Sequence, residues 1–210
     1  MTVLSWKVMC YNASGKQVGD RMTELLLVRH GETDWNKQGI IQGRHDIPLN
    51  ETGKKQAEYT MKQLQGIAFD HIFSSPLIRA KETAQIIADG LGVKDEIKTI
   101  TDLQERDFGE ADGKPVSEYY PQVLQGDITD MESDEELETR VFRALRTLAQ
   151  ENPNKRLLVV CHSHVIKAAL HAINPEEYDY KTRLLNGSVT TLSFDYDAFT
   201  IKSVKNFNSF

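Results

Sequence analysis

Leu25-Leu26-Leu27-Val28-Arg29-His30-Gly31-Glu32-Thr33 decides the fold of this 210-residue chain. Four apolar residues followed at once by a cation, an imidazole and a glycine read as a strand buried on both faces that ends in a functional turn. The pattern recurs at Leu157-Leu158-Val159-Val160-Cys161-His162-Ser163-His164. Strands of this kind belong to largely parallel sheets covered by helices, where ligands gather at the carboxyl ends. The repeat therefore predicts two imidazoles, His30 and His162, at one sheet edge.

Outward from these strands, helix and strand signals alternate. Asn50 to Leu64 is predicted helical, with Asn50 or Thr52 as cap and Ala57, Met61 and Leu64 on one face. His71 to Ser74 is a short strand. Ser75-Pro76 reads as a cap with proline at the first position of a helix that runs to about Leu91 and ends at Gly90 and Gly92. Ile97 to Leu103 is expected to be extended. Asp134 to Gln150 carries Leu137, Val141, Leu145 and Leu148 on one stripe, with Glu136 and Arg140 spaced for an ion pair. A helix over His164 to Ala172 follows the second central strand, and Val189 to Phe194 with Phe199 to Val204 form a terminal hairpin over Asp195 to Ala198. The fold class predicted is α/β: a three-layer α/β/α sandwich with a mostly parallel central sheet and an antiparallel edge strand. Residues 22–210 make one domain. Residues 1–21, polar and glycine-containing around Asn12 to Lys16, are expected to lie outside the core fold.

Composition narrows the function classes. A formal net charge of −6 with mixed signs gives no basis for tracking a nucleic-acid backbone. No apolar run reaches the roughly 18 residues of a membrane span. Two cysteines, Cys10 and Cys161, make no disulfide framework, which fits a reducing cytoplasm.

The side chains at the strand ends suit an anion. Arg29 offers a permanently charged planar fork, His30 a nitrogen that can attack or coordinate, and Gly31 a close backbone turn. Arg79, in the first turn of a helix, adds a cation where backbone N–H groups also favour negative charge. His162, which protonates readily near neutral pH, completes a positive pocket. Two arginines and two histidines fit a phosphoryl group, whose transfer asks the protein for positioning, charge neutralisation and a proton for the leaving oxygen. Glu105, in Leu103-Gln104-Glu105-Arg106-Asp107-Phe108-Gly109, is the best carboxyl group for that proton.

In order and spacing these segments resemble the histidine phosphatase superfamily, also called phosphoglycerate mutase-like. The likeness rests on Arg29-His30-Gly31-Glu32-Thr33 with Trp35-Asn36, Gln42-Gly43, Asp46-Ile47-Pro48-Leu49, Thr52-Gly53, Ser74-Ser75-Pro76-Leu77 with Arg79-Ala80 and Thr83-Ala84, Leu103 to Gly109, and His162. It covers about Met22 to Val204. The resemblance implies His30 as the nucleophile that becomes phosphohistidine, Arg29, Arg79 and His162 as the cage, and Glu105 as the acid that later activates water. It implies Asn36 as a further phosphate contact, Gln42 and the Gly43 N–H as pocket lining, and no metal or other cofactor. Ser163 stands where the family usually has glycine, its N–H expected to face the phosphate. Glu110-Ala111-Asp112-Gly113 departs from the family pattern and alters the rim.

The same residues admit rival readings. His30, His162 and His164 are a conceivable zinc set, but two arginines beside them would repel a cation. Cys161 precedes a turn into a helix as cysteine nucleophiles do, yet Lys167 stands where such enzymes have arginine, and the reading is a buried thiol. A catalytically inactive phospho-ligand-binding module would not need both His30 and Glu105. His45 and His164 read as surface or supporting histidines. Mutases of the family carry an insertion before the second histidine, whereas Gly113 to Asp134 is a short acidic connection. The expected activity is thus hydrolysis of small phosphomonoesters, with 2,3-bisphosphoglycerate-dependent phosphoglycerate mutase as the alternative. Tyr119, Tyr120 and Asp127 to Glu138 are expected to form part of a lid.

Overall fold

The computed structural model describes residues 22–207; the reading of residues 1–21 as an extension falls outside them. In chain order the elements are β1 (Thr23–Arg29), α1 (Asp34–Gln38), α2 (Glu51–Gln63), β2 (His71–Ser74), α3 (Ile78–Leu91), β3 (Lys98–Thr99), α4 (Val116–Gln125), α5 (Asp134–Glu151), β4 (Arg156–Cys161), α6 (Ser163–Ile173), β5 (Val189–Asp195) and β6 (Ala198–Lys205).

One six-stranded sheet runs in the order β3-β2-β4-β1-β5-β6. β1, β2, β3 and β4 are parallel, and β5 runs antiparallel to both β1 and β6. The unbroken apolar runs follow from this placement, because alternate residues serve two cores. Leu25, Leu27, Leu157, Val159 and Cys161 pack toward α5 and α6. Leu26, Val28, Leu158 and Val160 pack toward α3. Burying each such leucine or valine contributes about 1.5–3 kcal/mol, so a polar replacement within these runs is destabilising.

β1 and β4 are neighbours in register, with Arg29 opposite Cys161, and His30 N–H donates to the Cys161 carbonyl at 3.0 Å. On the other side of β4, Ser75 N–H donates to the Val160 carbonyl at 2.9 Å. The ends of three adjacent strands thereby place His30, His162 and Ser75 in a row.

Behind β1 the turn is held by glycine at two facing positions. A Cβ on Gly31 would stand 2.3 Å from the Gly53 carbonyl oxygen, and one on Gly53 would stand 2.1 Å from that of Glu32. The close approach that needs Gly31 is therefore to the start of α2, not to a ligand. Asn50 caps α2 by accepting from Gly53 N–H at 2.8 Å, as its sequence position predicts.

Several local expectations are corrected. α3 starts at Ile78 rather than Pro76, because Leu77 keeps extended backbone at ψ 138° and Ser75 is engaged elsewhere. Between Ile97 and Leu103 only Lys98–Thr99 pairs as strand, and Thr101–Leu103 winds into a 3-10 turn. Glu136 does not pair with Arg140; it closes a capping box with Ser133, while Arg140 binds Glu132. Gly113 to Asp134 is not a plain connection, since it contains α4 with Pro121 inside it. Tyr119 and Tyr120 of α4 join a small cluster with Ile41, Phe108, Ala111 and Val123.

Candidate active site

A cavity of about 170 Å³ opens beside the row of strand ends, lined by Arg29, His30, Asn36, Gln42, Glu105, Ser163 and, farther along, Tyr120, His164 and Lys167. Arg79 and His162, both 0% exposed, lie beneath it.

The His30 ring is fixed by Nδ1, 2.7 Å from the Gly31 carbonyl oxygen. That carbonyl can only accept, so Nδ1 carries the proton and Nε2 keeps its lone pair. Arg79 Nε lies 3.3 Å from Nε2, while its Nη1 and Nη2 donate to the carbonyls of His45 and Gly43, each at 2.7 Å. Burial, then the charges of Arg79 and Arg29, hold the His30 imidazole well below the usual histidine range. It is a neutral base, the form a nucleophile needs.

The His162 ring stands 5.1 Å from that of His30. Its Nε2 is 2.7 Å from Ser75 Oγ, and Ser75 Oγ also accepts from Leu77 N–H at 3.3 Å. With the Ser75 hydroxyl donating to Nε2, the proton of a neutral ring sits on Nδ1. Burial, then Arg79, depress the pKa of His162 strongly. The expectation that it protonates readily near pH 7 is therefore corrected: burial beside Arg79 favours its neutral form.

Arg29 donates to the Leu184 carbonyl, which aims its guanidinium across the cavity wall. Among the described residues six buried side-chain atoms have no hydrogen-bond partner, and three of them, Arg29 Nε, Gln42 Nε2 and His162 Nδ1, belong to residues in or beside this cavity. Arg29 Nε and Gln42 Nε2 are donors, and His162 Nδ1 is one when Nε2 accepts from Ser75. Buried polar groups are almost always paired, so a cluster of orphan donors marks the place of an acceptor-rich ligand.

Glu105, 4% exposed, accepts from Arg106 N–H at 3.0 Å and from His164 N–H at 3.2 Å. Burial raises its pKa against the lowering effects of those N–H groups and Arg79. Arg140 holds the loop that presents it, donating to the carbonyls of Asp102 at 2.6 Å, Gln104 at 2.8 Å and Glu105 at 3.2 Å.

Other sequence-selected residues fall around this centre. Asn36 Oδ1 accepts from Thr33 N–H and Asn186 Nδ2 at the pocket wall. Ser163 is the first residue of α6 and lines the cavity. Gly43 departs from expectation, because its N–H donates to Asp112 Oδ1 at 2.5 Å. His164 is buried with its ring against Phe108 and Tyr180, so the three-histidine metal set does not converge; among the described residues no cluster of three potential metal ligands forms. Cys161 is buried and its thiol pKa is pushed up by burial, which leaves no thiolate for nucleophilic attack. His45 packs its exposed ring near Trp35. Sequence reasoning does not find Ser75 as the partner of His162, reads Arg140 only as a helical ion-pair partner, and weighs Lys167 only against the arginine of cysteine phosphatases. Ser75 had a signal in its position after β2, but it was spent on capping a helix.

A family model described as "Histidine phosphatase superfamily (branch 1)" matches residues 25–206. The chain is 40% identical over 189 residues to the uncharacterized phosphatase PhoE of Bacillus subtilis, covering 90% of this chain and 96% of that protein. It is 34% identical over 192 residues to a metal-independent phosphoserine phosphatase of Arabidopsis thaliana, covering 84% and 78%. A crystal structure of a mutant phosphoserine phosphatase from Entamoeba histolytica in complex with phosphoserine superposes with a TM-score of 0.76 at 32% identity, covering 87% and 96%.

Proposed function

This chain belongs to the histidine phosphatase superfamily, and on that premise we propose that it hydrolyses small phosphomonoesters through a phosphohistidine at His30. The observation that carries the reading is the set of three buried donors without partners, Arg29 Nε, Gln42 Nε2 and His162 Nδ1, beside an unprotonated His30 Nε2. A phosphoryl group supplies the oxygens those donors lack and the phosphorus that the lone pair attacks.

In the first step His30 Nε2 bonds to phosphorus as the bond to the ester oxygen breaks, and protonated Glu105 gives that oxygen its proton. In the second step water attacks phosphorus, Glu105 takes the proton, the N–P bond breaks and His30 is restored. Arg29 and Arg79 neutralise the equatorial oxygens throughout. Burial draws Arg79 down to about 10, which leaves it charged at neutral pH. A bound phosphoryl dianion favours protonated His162, so that ring becomes a cation when the ligand arrives rather than before. Asn36 and the Ser163 N–H add contacts at the wall. Small phosphorylated metabolites in a cytoplasmic setting are the substrates this reading expects. Among the described residues no helix is long and apolar enough to cross a membrane.

Acid-labile, base-stable phosphate trapped on the protein during turnover of p-nitrophenyl phosphate is the expected signature, absent from His30→Ala. Label that survives the substitution overturns the assignment. A parallel assay of 3-phosphoglycerate with 2,3-bisphosphoglycerate tests the mutase alternative.

A further inference from the structure

Phosphoryl chemistry leaves one cation of this cavity unassigned. Lys167, on α6, lines the same cavity as His30 and Glu105 and is 6% exposed. Its Nζ donates to Tyr120 Oη at 3.0 Å and to the Tyr180 carbonyl at 2.8 Å. Both acceptors are neutral. Nζ also stands 5.7 Å from the Tyr120 ring centroid, but an ammonium has three N–H donors and only two have a hydrogen-bond acceptor. The other buried cations near the loop have carboxylate partners: Arg106 pairs with Asp134 at 2.7 Å and Arg140 with Glu132 at 2.5 Å. Arg29 and Arg79 face the phosphoryl group. Glu105 and Asp179 act on Lys167 only through longer-range attraction, and Glu105 is neutral when it serves as acid.

A buried charge without a counter-ion is costly to keep, and burial with the Arg29 charge draws Lys167 down to about 8. Two hydrogen bonds donated to neutral groups tie α4 and the Tyr180 loop to α6, and an uncharged side chain would do that at less cost. The ammonium is explained if an anion completes its coordination.

We propose that Lys167 is a second anion-binding point in the cavity, selecting phosphomonoesters that carry a carboxylate a few bonds from the reacting phosphorus. The proposal rests on the phosphatase reading above. Lys167 lines the same cavity as His30 and Glu105, which favours a short substrate in which both anions engage at once.

3-Phosphoglycerate and glycerol 3-phosphate differ only in a carboxylate against a hydroxymethyl group, and they test this directly. Their affinities are measured by calorimetry on His30→Ala protein, which removes turnover. Bound to Lys167, the carboxylate should favour 3-phosphoglycerate by about tenfold to a hundredfold, the range for a charged hydrogen bond. Lys167→Met should collapse that ratio, and Lys167→Arg should keep part of it. A ratio near one in protein that retains Lys167 overturns the proposal, whether or not Lys167→Met folds. A ratio unchanged by Lys167→Met overturns it as well, since both ligands then weaken together and Lys167 only braces the loop. Failure of the unsubstituted protein to hydrolyse either ester, with the binding ratio intact, breaks the phosphatase reading and leaves the anion point standing.

Discussion

At the scale of single residues, the two ends of the proposed reaction are set by opposite effects of the same burial. Burial removes water from His30 and Glu105 alike and favours each neutral form, which is a base for imidazole and an acid for carboxyl. The proposed mechanism requires His30 unprotonated, a state present above its depressed pKa, and Glu105 protonated, a state lost as pH rises through its elevated pKa. The profile of kcat/KM should therefore be a bell whose acid limb lies below the ordinary histidine value of about 6.5. Glu105→Gln should remove the alkaline limb and slow alkyl phosphates by about 10²–10⁴-fold, with a much smaller loss on p-nitrophenyl phosphate, whose leaving group needs little protonation. Equal losses on both esters would sink the role given to Glu105.

At the scale of elements, Glu105 depends on a residue thirty-five positions away, Arg140 on α5. Its guanidinium gathers carbonyls from Asp102, Gln104 and Glu105 and pairs with Glu132, a fork geometry that lysine cannot copy. Removing it leaves the carbonyls it gathers without that donor and leaves Glu132 only the Asp107 N–H at 3.2 Å and Arg44 at 3.8 Å. Arg140→Met should lose about 3 kcal/mol, a fall in Tm of roughly 6–12 °C for a chain of this size. As a positioning residue it should also impose on alkyl phosphates a larger loss than on p-nitrophenyl phosphate. A destabilised variant that keeps the wild-type ratio of the two esters would show that Arg140 supports the fold alone. Elements also differed in how far they could be read. α2 and α5 carry caps and an apolar stripe and are found within a residue or two. α4 was invisible because Pro121 interrupts it and its buried side is slight.

At the scale of the whole molecule, stability and site are linked through protons. His30, His162 and His164 are all buried with pKa values held well below the histidine range, chiefly by desolvation. The unfolded chain protonates them near pH 6.5, so it binds more protons than the native state below that pH. Stability is then full above about pH 6.5 and is lost as pH falls toward the native pKa values. Glu105, with its raised pKa, opposes this in part. Tm measured from pH 7.5 to 5.5 should fall, and His164→Gln should flatten the slope. A flat wild-type curve would show that the histidines are not held neutral.

Much of this site was legible because local sequence rules act on it directly. The apolar runs dictated buried strands, the residues after them had to lie at strand ends, and the order of motifs brought Arg29, His30, Arg79, Glu105 and His162 to one place. Tertiary structure alone decided protonation and partnership. The neutral state of His162, the commitment of the Gly43 N–H to Asp112, the clamp of Arg140 and the unmatched charge of Lys167 depend on how much water is excluded and which acceptors stand within about 3 Å. Those quantities arise between residues far apart in the chain, and no spacing in the sequence encodes them.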